Sequence, residues 1–195
     1  FYQASSPSGE GSVVTCATAP FKKLASAQAL RWVDAGSTVA LDPVMISGVS
    51  SANTFSWSST NTDVASVNGN GVVTGVGAGV AKIYARYSGQ ITAAYVVIVR
   101  PRDTLHLPAN TLTIQAEAFS GMLPGMIVAS DKVETIGARA FADNYYLQLV
   151  QLPASVSTIA ADAFSGSTPL TLLCPYGSAA AQYAVSNGIS CVYVP

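Results

Sequence analysis

Charge is what this chain has least of. Only 10% of its 195 residues are Asp, Glu, Lys or Arg while 50% are hydrophobic, where soluble domains usually carry roughly 25% charged residues. So apolar a chain can bury a core, and disorder is excluded. Long apolar runs are also missing. The longest, Ala93 to Val99, falls far short of the roughly 18–20 residues a membrane helix needs, so no membrane span is expected. The inventory for catalysis is thin, with one histidine and three cysteines. No zinc ligand set can be written, and any Ser-His-Asp arrangement would have to use His106. An enzyme is therefore not expected, nor a metal or cofactor. The nine Lys and Arg are scattered singly apart from Lys22-Lys23, and net charge is −1. With no basic stripe to neutralise phosphates, nucleic acid is excluded as a partner. The glycines at 69–79 are not followed by Lys-Ser or Lys-Thr, so they form no phosphate loop. The first residues show neither the charged start nor the apolar stretch of a secretory leader, and localisation must be argued from other features.

What the chain does have changes character near residue 100, which points to a multidomain protein. Val39–Leu41, Thr54–Trp57, Val64–Val67, Val72–Thr74, Ala81–Tyr87 and Ala93–Val99 are rich in β-branched and aromatic residues, and Asn68-Gly69-Asn70-Gly71, Gly75, Gly77, Gly79 and Ser88-Gly89 punctuate them. Short strands at such spacing predict an all-β sandwich. Phe55 and Trp57 alternate on one strand and can both enter its core, while the glycines suit turns that need positive φ. Residues 12–28 are assigned to a first edge strand with a loop. The motif Trp57-Ser58-Ser59, Val64-Ala65-x-Val67, Gly71-x-Val73-Thr74-Gly75 and Ala78-Gly79 resembles the second group of bacterial immunoglobulin-like domains. That resemblance covers about residues 29–99, and implies a sandwich without the cysteine pair of antibody domains.

Arg100-Pro101-Arg102-Asp103 reads as a polar linker between domains at 12–99 and 104–195, and independent folding of the two is expected. Beyond it Ile114-x-x-x-Ala118-Phe119, Ile136-x-x-x-Ala140-Phe141 and Ile159-x-x-x-Ala163-Phe164 are spaced by 22 and then 23 residues. A period of 20–29 with one short strand per unit is the mark of a leucine-rich solenoid. Together with Leu107-Pro108, Leu152-Pro153 and Cys174-Pro175, the pattern resembles the BspA-type leucine-rich repeat of bacterial surface antigens and adhesins. The unit at Met122–Ser130 departs from it by lacking the Leu-Pro. The tail from Pro175 to Ile189 resembles the closing helix of such arrays, with Ser178 as N-cap and Asn187-Gly188 as stop.

Stacking the coils on their strand ends places Leu105, Ile127, Val150 and Leu172 in one inward layer and Leu107, Ala129, Leu152 and Cys174 in the next. Thr104, His106, Met126, Val128, Leu149, Gln151 and Leu173 then face outward. His106 is most simply a solvent-facing strand residue without recruited partners. So apolar an outward face is either a recognition surface or one covered by a loop or by the sandwich. The adjacent Tyr145 and Tyr146 form a contact patch or wedge their turn. Cys174 and Cys191 lie in the last two strands, where a disulfide fits an exported protein and two buried thiols fit equally. The three phenylalanines should stack as a spine, and Arg139 should lie between Glu117 and Asp162 on the outer rim. Both resemblances imply a non-catalytic bacterial protein, secreted or at the cell surface. It would bind a host or neighbouring-cell protein or glycan, with the sandwich as spacer and the solenoid as recognition module. The alternatives are an architectural segment of a larger envelope protein and an accessory carbohydrate-binding region of a secreted enzyme.

Overall fold

The structure is a computed structural model that describes residues 30–41, 55–87, 90–122 and 124–195. The edge strand expected at 12–28, Cys16, Thr54, Ser88-Gly89 and Leu123 lie outside these residues.

Two sheets form the first region. One has the order β1 (Leu30–Asp34), β7 (Gln90–Arg100), β6 (Gly79–Tyr87) and β3 (Ser56–Ser59); the other runs β2 (Thr38–Ala40), β5 (Val72–Gly75) and β4 (Ala65–Val67). Strand β1 was not expected as such, because Arg31 and Asp34 interrupt its apolar residues. It joins the sheet in parallel with β7, Leu30 opposite Val96 and Val33 opposite Val99. Alternation assigns each strand's side chains to one of two sides. Val33, Val73, Ala81, Ile83, Tyr95, Val97 and Val99 form the core between the sheets. Trp57 packs against that core, with its ring centre 6.4 Å from Phe55 and 6.3 Å from Tyr95.

The glycines near Trp57 serve two purposes. Gly71 has φ +76°, and a Cβ there would come within 2.5 Å of the Trp57 ring. Gly75 and Gly77 are not in the left-handed region, contrary to expectation. A side chain at either would meet a backbone carbonyl oxygen, at 2.8 Å from Asp34 and 2.7 Å from Asp63. Close packing of chain against chain, not turn geometry, calls for glycine at those two positions.

The second region is a stack of parallel coils. One sheet has the order β15 (Ser190–Tyr193), β14 (Thr171–Cys174), β12 (Leu149–Gln151), β10 (Met126–Val128) and β8 (Thr104–His106). The opposite one is β13 (Thr158–Ile159), β11 (Thr135–Ile136) and β9 (Thr113–Ile114). The register is the one the repeat predicts. Leu105, Ile127, Val150 and Leu172 are aligned strand by strand, and Ile114, Ile136 and Ile159 likewise. β10 keeps this register although its unit lacks the Leu-Pro. Between the sheets lie Ile127, Val150, Leu152, Leu172 and the phenylalanine spine. Phe119 and Phe141 stack at 5.5 Å with 16° between planes, and Phe141 and Phe164 at 4.8 Å with 7°. Helix α1 (Ala179–Ser186) closes the end: Ser178 Oγ accepts from the Ala181 amide at 3.2 Å, and Ala180, Ala181 and Ala184 are buried. Gly188, at φ +67°, ends it in the left-handed conformation favoured after a helix.

Candidate functional site

Alternation in the solenoid strands sends Met126, Leu149 and Leu173 to the outer side, as expected, but they are not exposed. All three have 0% accessible surface and share a buried cluster with Ile98 and Val194. Leu30, Trp32, Val80, Val128 and Val192 pack around it. Leu30, Trp32, Val80 and Ile98 come from the sandwich sheet β1-β7-β6, on the side opposite its own core. Two sheets therefore lie face to face, and of the two readings of this apolar face, a recognition surface or a covered one, the sandwich makes it the covered one. The physical reason is that each sheet carries an apolar outer stripe, and each removes the other's from water. Val128 and Gln151 are half-buried at the joint, Thr104 is half-buried at its margin, and His106 is exposed.

The chain crosses between the regions in a segment tied to both. Arg100 Nε contacts Asp34 Oδ1 at 2.8 Å, and its guanidinium lies 5.7 Å from the Trp32 ring centre. The Asp103 carboxylate accepts from the Gly125 amide at 2.8 Å, and the Thr104 hydroxyl donates to the Pro101 carbonyl at 2.9 Å. The segment assigned as a polar linker is pinned to the sandwich on one side and to the second coil on the other.

With the sheet covered, the exposed large apolar side chains of the solenoid lie at its turns, apart from Val185 on α1. Tyr145 and Tyr146, at 69% and 65% accessible, stand side by side just before β12. Their neighbours Asn144 and Leu147 are buried, so the turn is anchored on both flanks. Asn144 is the anchor that the repeat pattern did not reveal. Its amide group donates to the carbonyls of Phe119 and Phe141, at 2.6 and 2.9 Å, and its backbone N–H donates to Ser167 Oγ at 2.9 Å. It stitches three coils together from one position, which is legible only once Met122, Asn144 and Ser167 are seen stacked.

Arg139 meets its expected neighbours in part. Its guanidinium lies 3.9 Å from Glu117, but Asp162 accepts from the Arg139 backbone N–H at 3.3 Å instead of from the side chain. The close partner is Asp143, at 2.5 Å and four residues on, with both side chains near half exposed. A cleft of about 480 Å³ opens between the last coil and the cap, lined by Phe164, Ser165, Ser167, Tyr183 and Asn187 among others. Ser165 Oγ is buried there without a hydrogen-bond partner, and Tyr183 donates to the Ala161 carbonyl at 2.9 Å. Burial raises the Tyr183 phenol above its ordinary value.

Cys174 and Cys191 are free thiols whose sulfurs lie 3.1 Å apart. The hydrogen bond from Cys191 holds Cys174 below the usual thiol range, helped by Ser178 and opposed by burial. The same bond, burial and the neighbouring charge push Cys191 up. Among the described residues no group of three or more His, Cys, Asp or Glu could hold a metal. No helix among them is long and apolar enough to cross a membrane.

A β-sandwich joined to a stacked-coil solenoid with one capping helix defines the class. Residues 25–92 match the family described as bacterial Ig-like domain (group 2), and residues 102–176 match the BspA type leucine rich repeat region. Two separate segments thus match two different families, an arrangement consistent with bacterial adhesin-like proteins and with an interaction module. Such domains are generally extracellular or surface-associated. No curated protein matches the chain.

Proposed function

We propose that this is an adhesion module of the bacterial surface or its secreted complement. The solenoid does the recognition, through the turn that presents Tyr145 and Tyr146 and not through its sheet. The observation that carries this is the contrast in exposure: Met126, Leu149 and Leu173 are spent on the joint with the sandwich, while two adjacent tyrosines stay open on a buried anchor. Exposed aromatic pairs on a rigid base are suited to protein contacts, because they bring large area at little entropic cost. The sandwich then acts as more than a spacer, since it covers and orients the solenoid.

The test is binding of the full chain, and of the double variant Tyr145→Ala with Tyr146→Ala, to an array of extracellular matrix proteins and glycans. Loss of binding at unchanged melting temperature is the expected result. A signal confined to glycans would favour the carbohydrate-binding reading, and a chain that binds nothing on either array would favour a purely architectural segment.

A further inference from the structure

Among the described residues, strand β15 is the outermost strand of the solenoid sheet, hydrogen-bonded only to β14. Edge strands at the end of a stack have one neighbour to hold them and are where fraying begins. Yet this strand has two duties. Cys191 and Tyr193, with Ile189 just before it, pack against the solenoid core, while Val192 and the following Val194 pack into the joint with the sandwich. The register sets Leu172 opposite Cys191 and Cys174 opposite Tyr193, so the cysteines are diagonal neighbours on the inner side. Their sulfurs at 3.1 Å need to close by only about 1 Å to reach bonding distance. Cys174 is fully buried, whereas Cys191 is only partly so and is the sulfur an outside reagent meets first.

We propose that Cys174 and Cys191 are a redox pair that closes to an intramolecular disulfide and staples the terminal strand, and with it the joint to the sandwich, to the last coil. The oxidant is a low-molecular-weight disulfide of the extracellular medium. Cys174 gives the first proton to solvent and takes up the Cys191 proton across their hydrogen bond, and the more accessible Cys191 thiolate attacks one sulfur of the reagent, releasing one reagent thiolate. Cys174, likewise deprotonated, then displaces the second reagent thiolate from the mixed disulfide. Two protein thiols are oxidised, one reagent disulfide is reduced to two thiols, and one protein S–S bond is formed. The inference stands on the sulfur geometry and holds whatever the tyrosine pair binds.

The test uses the full chain in a Cys16→Ser background, so that only these two thiols are counted. The reduced protein is treated under native conditions with oxidised glutathione, blocked with maleimide and digested. The expected result is one linked pair of peptides containing Cys174 and Cys191, with no maleimide on either. The melting temperature should rise by about 5–10 °C over the reduced protein, reversed by dithiothreitol. Amide exchange at Val192 should slow in parallel. In Cys191→Ala, dithiothreitol should change nothing, a comparison made within the variant and so independent of any loss of packing. Two thiols that still take maleimide after oxidation, or a disulfide between two chains, would overturn the proposal. A linked pair that leaves Val192 exchange unchanged would overturn the stapling.

Discussion

Phe141 shows how much a single side chain can carry in a stack of coils. Its ring is fully buried, with Phe119 on one side and Phe164 on the other. Neither neighbouring coil can collapse into the space it would leave without breaking its own register. Phe141→Ala should therefore cost about 3–5 kcal/mol by thermal or denaturant unfolding. Phe119→Ala should cost less, because Phe119 is half-buried at the open end. An unchanged melting temperature for Phe141→Ala would contradict the stacking. The charges on the rim matter far less. Arg139 bridges Asp143 and approaches Glu117 where all three are substantially exposed, and exposed pairs contribute about 0–1 kcal/mol. Glu117, Arg139 and Asp143 also hold positive φ at 58°, 51° and 56°. At the third of these positions the flanking coils carry Gly121 and Gly166, at 66° and 73°. The coil bends there whether or not glycine is present, and in the middle coil a carboxylate that meets Arg139 offsets part of the strain.

At the scale of elements, the joint is the feature with most consequence. β10, β12 and β14 each send one large apolar side chain, Met126, Leu149 and Leu173, into the space facing β1 and β7. Leu149 is the central strand's contribution and has no accessible surface. Leu149→Asp would bury a carboxylate among apolar side chains, so it should cost more than about 4 kcal/mol. It should also raise binding of a hydrophobic dye as the sheets part. Leu149→Met should be nearly neutral, since it keeps volume and polarity. A wild-type-like melt for Leu149→Asp would show that the two sheets do not pack on each other in solution. The capping elements follow simpler rules. Ser178 satisfies an amide at the start of α1 and Gly188 permits its reversal into β15, so the helix stops where the chain must return to the sheet.

For the whole molecule, the shared cluster means that the two regions are not independent units joined by a string. Residues 104–195 alone would expose Met126, Val128, Leu149 and Leu173 as one apolar stripe. We expect that fragment to associate or to bind a hydrophobic dye, and to melt below the full chain, which should unfold in one cooperative transition by calorimetry. A soluble monomeric fragment that melts with the full chain would restore independence of the regions. Functionally, rigid mounting suits an adhesion module. A tip held at a fixed angle to its support loses less orientational freedom on binding than one on a free tether.

Much of this architecture was legible in the order of residues alone. The spacing of Ile114, Ile136 and Ile159 determined the coil register, because equivalent residues must stack for a solenoid to bury them at all. The alternation around Trp57 and the glycine-punctuated short strands marked the sandwich for the same kind of reason, since both are local patterns, whereas the close backbone approach at Gly75 and Gly77 was not legible. What local pattern could not decide was which apolar stripe meets which. Met126, Leu149 and Leu173 look the same in sequence whether they await a partner or already face one. Only the path of residues 100–103, pinned by Asp34 and Gly125, swings the sandwich over them. The approach of Cys174 to Cys191 and the reach of Asn144 across three coils are likewise matters of tertiary placement. Each joins residues that the sequence sets 17 or more positions apart, and the energy that selects those contacts exists only once the whole chain is folded.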